Sequence, residues 1–205
     1  MNTSSFCCGA SLLFERDCYG SQAQAELCYP ETAQDAAKVL DNAATLIKDA
    51  FDWSADFAGV DGCVGVEFPL TLPPALAAKN VSLLDAYTGM FGRIVAAKQK
   101  ISTFWLWTNE GVEDHGNGKG KPQSDPLWGQ LVDEIEIAQQ ALKAVGGNFS
   151  LGTNGWCLGP GDNASFFDKA IPDPTFKVAA INGALGWLPP DPAYAEMTGS
   201  RSWVM

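Results

Sequence analysis

The sequence predicts an α/β protein built on a parallel sheet, and three observations lead to this prediction. Apolar runs of strand length alternate along the chain with amphipathic segments of helix length. The strand-like runs begin near residues 63, 103, 150 and 176, which leaves room for a crossover helix between each pair. Of the 205 residues, 46% are hydrophobic, which is enough to form a full core. Such alternation is typical of parallel strands with helices packed outside them.

The first helix is predicted over residues 32–51, where apolar side chains recur every three or four residues and form one face. That face comprises Leu40, Ala43, Ala44, Ile47, Ala50 and Phe51. A short apolar run at 63–68, bounded by Gly62 and Pro69, then predicts a buried strand. Its residues alternate between two faces. We expect covering helices to contact Val64, Val66 and Phe68, and the opposite face to carry Cys63, Gly65 and Glu67.

Ser82 followed by Asp85 predicts a capping box at the start of the second helix. The apolar face of this helix comprises Leu84, Tyr87, Met90, Phe91, Ile94 and Val95. A second strand is predicted at 103–108, which is aromatic and apolar until Thr108. The polar, glycine-containing segment 109–125 that follows is interpreted as a loop.

Asp125 before Pro126 predicts the start of a third helix, and Gly146-Gly147 predicts its end. The apolar side of this helix comprises Trp128, Leu131, Ile135, Ala138, Leu142 and Val145. Two further strands are predicted at 151–158 and 176–181, separated by a short helix that Asn163 caps. An additional strand is predicted at 6–14.

Two architectures accommodate this order of elements: an open doubly wound sheet and part of an eight-stranded barrel. A complete barrel normally needs about 250 residues, and the last residues, 201–205, have the pattern of a new strand. The sequence therefore favours an incomplete (β/α)8 TIM barrel over residues 31–205, truncated at its C-terminus. A short C-terminal edge strand is the alternative interpretation of this ending. Residues 1–30 are expected to form a separate cysteine-rich segment.

Charge and motif content exclude several classes of function. A net charge of −11 argues against nucleic acid and against anionic membrane surfaces as partners. No apolar run is long enough for a transmembrane helix. His115 is the single histidine, which excludes two-histidine metal sites, and neither a dinucleotide-binding glycine motif nor a P-loop occurs. The sequence therefore implies no metal and no organic cofactor.

Cysteines and glycosylation sequons bear on the cellular compartment. Four of the six cysteines fall within the first 28 residues, so a disulfide-stapled N-terminal loop is plausible outside the cytosol. Four N-x-S/T sequons occur, at Asn2, Asn80, Asn148 and Asn163. Together they slightly favour a secretory route.

Carboxylates and tryptophans follow the predicted strands at the ends where parallel α/β proteins place their functional groups. Glu67 ends the first strand, and Trp107 precedes Asn109 and Glu110 at the end of the second. Asp114 and His115 follow in the same loop. The third strand adds Asn154 and Trp156, and a buried asparagine needs a hydrogen-bonding partner. The competing interpretations are that the tryptophans belong to the core and that 110–114 is a solvated loop.

Glu67 and the Asn109-Glu110 pair at successive strand ends resemble the TIM-barrel glycoside hydrolases, many of which place an acid/base glutamate after an asparagine at a strand end. The resemblance implies that Glu110 is the proton donor and that Asn109 contacts a sugar hydroxyl. Glu67 would be the second catalytic carboxylate. The remaining substrate-binding residues would be Trp107, Asp114, His115, Asn154 and Trp156.

The implied function is hydrolysis of a poly- or oligosaccharide. Two alternatives stay open at this point. One is a non-catalytic carbohydrate-binding protein or pseudoenzyme on the same scaffold. The other is a doubly wound domain that binds another small ligand, for which Trp107 would be buried away from any cleft.

Overall fold

The structure is a computed structural model that describes residues 33–57, 60–70, 72, 77–108, 126–154, 164–179 and 203–204. Its helices are α1 (Ala33–Ser54), α2 (Leu83–Ala96), α3 (Pro126–Val145) and α4 (Ala164–Ala170). Its strands are β1 (Gly62–Phe68), β2 (Ile101–Thr108), β3 (Ser150–Asn154), β4 (Lys177–Ala179) and β5 (Trp203–Val204). The predicted strand at 6–14 and the predicted loop at 109–125 lie outside the described residues.

The five strands form one sheet in the order β1-β2-β3-β4-β5. The pairs β2–β3, β3–β4 and β4–β5 are parallel. The predicted α/β class, with helices alternating with parallel strands, is therefore confirmed. A doubly wound sheet reverses its strand order at a switch point, and no such reversal occurs among the described strands. The sheet is consistent with part of a barrel, and the barrel itself stays a prediction.

Contacts divide the chain into two units. The first unit comprises residues 1–62, 71–101 and 140–147, and the second comprises residues 63–70, 102–139 and 148–205. The second unit contains the sheet apart from Gly62 and Ile101, together with α4 and the first 14 residues of α3.

In the first unit, α2 begins with the predicted capping box. The Ser82 hydroxyl accepts a hydrogen bond from the Asp85 backbone N–H at 3.1 Å, and the Asp85 carboxylate accepts one from the Ser82 backbone N–H. The buried stripe of this helix comprises Ala86, Tyr87, Met90, Phe91 and Ile94. Leu84 and Val95, expected on the buried face, are exposed, because both lie at the border of that stripe.

Glycines close α3 as predicted. Gly146 follows its last residue with a φ of +66°, the left-handed conformation that glycine adopts without steric cost. The backbone N–H of Gly147 then donates to the Leu142 carbonyl at 3.2 Å, which satisfies one of the last carbonyls of the helix.

The core of the second unit lies on one face of the sheet. The alternation predicted for β1 is confirmed: Val66 and Phe68 are buried, and Cys63 is exposed. Further buried side chains in this unit come from β2, α3, β3, α4 and β4: Phe104, Leu106, Trp128, Leu131, Ile135, Ala138, Leu151, Phe167 and Val178. No described helix combines the length and the apolar character that crossing a membrane requires.

Candidate functional site at the carboxyl edge of the sheet

Trp105 determines the packing on the second face of the sheet. Its neighbours in β2, Phe104 and Leu106, are fully buried on the first face, so alternation directs Trp105 to the other. There the indole lies over Gly152 of β3, where a β-carbon would come within 2.6 Å of Cζ3 and 2.8 Å of Cε3. The glycine therefore provides the space that the ring occupies.

Strand β1 approaches β2 closely and runs in the same direction. A β-carbon on Gly62 would lie 2.8 Å from the Lys100 carbonyl oxygen, and one on Gly65 would lie 2.8 Å from Trp105 Cβ. Residue numbers increase together along both strands, which is the relation between parallel strands. Of the two contacts, the one between Gly65 and Trp105 is nearer the carboxyl ends, and continuing it by two residues along each strand brings the backbone of Glu67 beside that of Trp107.

The register between β2 and β3 brings a third predicted residue to the same edge. Leu106 pairs with Thr153, so the next residues along the two strands are Trp107 and Asn154. Asn154 is the last residue of β3 and pairs with Ala179, the last residue of β4. Glu67, Trp107 and Asn154 thus form one row across three adjacent strands, about 4.8 Å apart from strand to strand.

Trp107 is the member of this row whose side chain the structure describes. It is 36% exposed, whereas Trp105, two residues earlier on the same face, is half-buried. Exposure of a large aromatic side chain at a strand end leaves an indole face available for contact with a ligand. The interpretation of both tryptophans as core residues therefore does not hold for Trp107.

Lys177 was not anticipated as part of this face. It pairs with Gly152 in the β3–β4 register, and its Nζ donates to the Thr103 hydroxyl of β2 at 2.8 Å. The side chain therefore reaches across β3, on the same face of the sheet as the Trp105 indole. Thr103 is buried, so this bond satisfies its hydroxyl. The sequence signal was a charged residue next to Val178, which the strand pattern places on the buried face.

Glu134 is a second residue that the sequence did not single out. It lies on α3, is 4% exposed, and its carboxylate accepts from the Leu70 backbone N–H at 3.1 and 3.4 Å. Leu70 follows the cis peptide bond Phe68–Pro69, just after β1. The hydrogen bond between Leu70 and Glu134 therefore holds the segment that leaves the strand of Glu67. The sequence signal was a glutamate three residues after Leu131, within the buried stripe of the helix.

The remaining predicted site residues fall outside the described residues. Asn109, Glu110, Asp114, His115 and Trp156 belong to this group. For Glu67 and Asn154 the structure describes the backbone position but not the side chain. Within the described ranges, no three cysteine, histidine or carboxylate side chains are grouped as a metal ion would require.

Comparison with known proteins finds no match to any family model, to any curated protein or to any solved structure.

Proposed function

We propose that the protein is a glycoside hydrolase that acts on a poly- or oligosaccharide through two carboxylates, Glu110 and Glu67. The observation that carries the proposal is the row formed by Glu67, Trp107 and Asn154 at the carboxyl edge of a parallel sheet. Functional groups of parallel α/β proteins lie at this edge. The row combines an acid, an exposed indole and an amide, which are groups suited to a sugar ring and its hydroxyls.

The spacing of the two acids supports a catalytic pair. Glu67 lies beside Trp107, and Glu110 follows the last residue of β2 by two positions. Adjacent strands are about 4.8 Å apart and two residues of chain span at most about 7 Å, which permits the separation of about 5 to 10 Å that glycosidase carboxylates require.

The two carboxylates have different roles in this proposal. Glu110 holds a proton and gives it to the glycosidic oxygen as the bond to the anomeric carbon breaks. Glu67 stays ionised and either attacks the anomeric carbon or takes a proton from the attacking water. An apolar wall near Glu110, which Trp107 can supply, favours the protonated acid, because burial disfavours the charged form.

The incomplete (β/α)8 barrel belongs to the same proposal. The sequential strand order supports it, because consecutive strands of such a barrel are neighbours. The alternative of a doubly wound domain with another ligand requires a reversal of strand order and a buried Trp107. The described strands have no reversal and Trp107 is exposed, so both observations favour the barrel.

Leaving-group dependence of hydrolysis tests the proposal. Wild-type protein, Glu110→Gln and Glu67→Gln are assayed against aryl glycosides of several sugars, each with a nitrophenyl and a dinitrophenyl leaving group. We expect Glu110→Gln to lose at least about 100-fold on the nitrophenyl substrate and much less on the dinitrophenyl one, which leaves without protonation. Glu67→Gln loses activity on both.

The matched control is Glu136→Gln, an exposed glutamate of α3, which retains wild-type rates. Hydrolysis by the wild-type protein that both active-site variants retain would overturn the proposed mechanism. Saccharide binding without hydrolysis would favour the non-catalytic alternative.

A further inference from the structure

An exposed apolar stripe runs along the C-terminal half of α1 and the turns after it. Its members, here called the Leu46 stripe, are Leu46, Ala50, Trp53 and Phe57. The exposed fractions are 70% for Leu46, 66% for Trp53 and 47% for Phe57. Exposed apolar side chains that are contiguous, rather than scattered singly, mark interaction sites.

The spacing of the Leu46 stripe is that of a helix-packing seam. Leu46, Ala50 and Trp53 lie on α1 four and three residues apart, the repeat with which one helix packs against another, and Phe57 follows Trp53 by four residues in the turns after the helix. Backbone hydrogen bonds from Ala55 to Phe51 and from Phe57 to Ser54 continue the turns beyond the helix. The rings of Trp53 and Phe57 lie 4.5 Å apart, so these two members form one surface.

The stripe is separate from the side of α1 that packs within the first unit. Phe51 lies on that inner side, where its ring comes within 2.7 Å of a β-carbon built on Gly62. Ile47 is half-buried on the same side. Helix α1 is therefore apolar on two sides, and packing within its own unit accounts for one of them.

Two aspartates border the Leu46 stripe along one flank, here called the aspartate flank. Asp49 lies on α1, and Asp56 lies in the turn that continues it, where the Asp56 backbone N–H donates to the Trp53 carbonyl at 3.1 Å. Both are exposed, and each is three residues from a member of the stripe, Asp49 from Leu46 and Asp56 from Trp53, and is therefore its neighbour on the surface. Within the described residues, neither aspartate has an ion pair. This flank therefore presents negative charge that no lysine or arginine of the described chain neutralises.

We propose that the Leu46 stripe is the docking surface for an amphipathic helix of a partner protein that carries lysine or arginine beside its own apolar face. The stripe supplies the apolar seam, and the aspartate flank selects a basic partner by charge complementarity. All residues of the stripe and of the flank belong to the first unit, and none of them is among the residues proposed for saccharide hydrolysis.

The same flank disfavours two other occupants. In an antiparallel pair of identical helices, the aspartate flanks of both copies would face each other and repel. In a parallel pair, the opposite flank of α1 offers Ile47 and Ser54, neither of which is basic. Membrane-surface helices carry lysine and arginine beside their apolar face, so an acidic flank opposes binding to anionic lipid.

Binding of designed peptides to the full chain tests the proposal. The probe is a fluorescein-labelled peptide of about 18 residues, or five helical turns, with leucines at the same spacing and lysines beside them. A matched peptide has glutamate in place of lysine. We expect the leucine–lysine peptide to bind, the glutamate peptide to bind at least about tenfold more weakly, and Trp53→Ala to weaken binding at least about tenfold.

Charge-matched variants separate docking from general attraction to an acidic protein. Asp49→Lys with Asp56→Lys should weaken binding of the leucine–lysine peptide at least about tenfold. Asp133→Lys with Glu136→Lys, two exposed residues of α3, makes the same change in net charge and should leave affinity within about twofold. Equal losses in both double variants would overturn the proposal. So would self-association that Leu46→Glu abolishes, or binding to phosphatidylserine vesicles that Trp53→Ala abolishes.

Discussion

The indole of Trp105 lies over Gly152 of the neighbouring strand, at a position where any β-carbon would come within 2.6 Å of Cζ3. The ring therefore occupies a space on this face of the sheet that is open only because residue 152 has no β-carbon. The Lys177 carbonyl oxygen, 2.9 Å from the same position, closes the space from the other side. Neither neighbour can withdraw easily, because one is a bulky ring and the other is backbone.

Gly152→Ala should destabilise the protein by about 1 to 3 kcal/mol, since the added methyl group forces the indole or the strand to move. Gly129→Ala is the matched control, because nothing lies within 4 Å of a β-carbon there and alanine is the better helix former. Urea unfolding followed by circular dichroism measures both free energies of unfolding. A Gly152→Ala variant as stable as Gly129→Ala would show that the position of the Trp105 indole does not require a glycine at residue 152.

Glu134→Ala should destabilise the protein by about 1.5 to 3 kcal/mol, because the variant loses the charged acceptor for the Leu70 backbone N–H. Glu134→Gln keeps an acceptor and should lose less. Glu136→Ala, an exposed position on the same helix, should stay within about 0.5 kcal/mol of wild type. Urea unfolding gives the energies, and hydrogen exchange at the Leu70 amide should accelerate in Glu134→Ala. Unchanged exchange in that variant would mean that the bond does not hold the end of β1.

Asp52 should titrate below its ordinary pKa of 3.8, because a hydrogen bond from Lys48 and the positive charges of Lys48 and Lys100 favour the carboxylate. The lowered folded-state pKa makes the contribution of this group to stability fully present above the unfolded-state pKa and lost as pH falls through the folded one. Carbon-detected NMR titration of the Asp52 carboxyl measures this folded-state pKa. Lys48→Met should raise the pKa toward 3.8, with Lys143→Met as the control. A pKa that does not respond to Lys48→Met would contradict the assignment of its main cause.

Local patterns were sufficient to predict most of the fold. The capping box at Ser82 and the pair Gly146-Gly147 each determine a helix end through bonds within a few residues, and Pro126 favours a helix start through its fixed φ. The sequence alone therefore reveals these ends. The alternation of Val66 and Phe68 with Cys63 likewise follows from the geometry of a single strand. Strand order, in contrast, depends on how segments far apart in sequence pair, and two architectures stayed open until the order was known.

Local patterns likewise predict only part of the candidate site. The position of Trp107 at a strand end follows from local pattern, but its row with Glu67 and Asn154 depends on the register between strands. Glu134 and Lys177 were missed because their roles depend on partners 64 and 74 residues away in sequence. The second apolar side of α1 was missed for another reason: periodicity identifies a stripe, and only exposure shows whether that stripe is covered.

The pH dependence of kcat/KM on a nitrophenyl glycoside tests the central claim of acid catalysis by Glu110 most directly. Wild-type protein should give a bell-shaped profile in which the alkaline limb reports deprotonation of Glu110 and the acid limb reports protonation of Glu67. Glu110→Gln should lose the alkaline limb and keep the acid limb, because glutamine has no proton to lose. An alkaline limb that persists unchanged in Glu110→Gln would contradict the account.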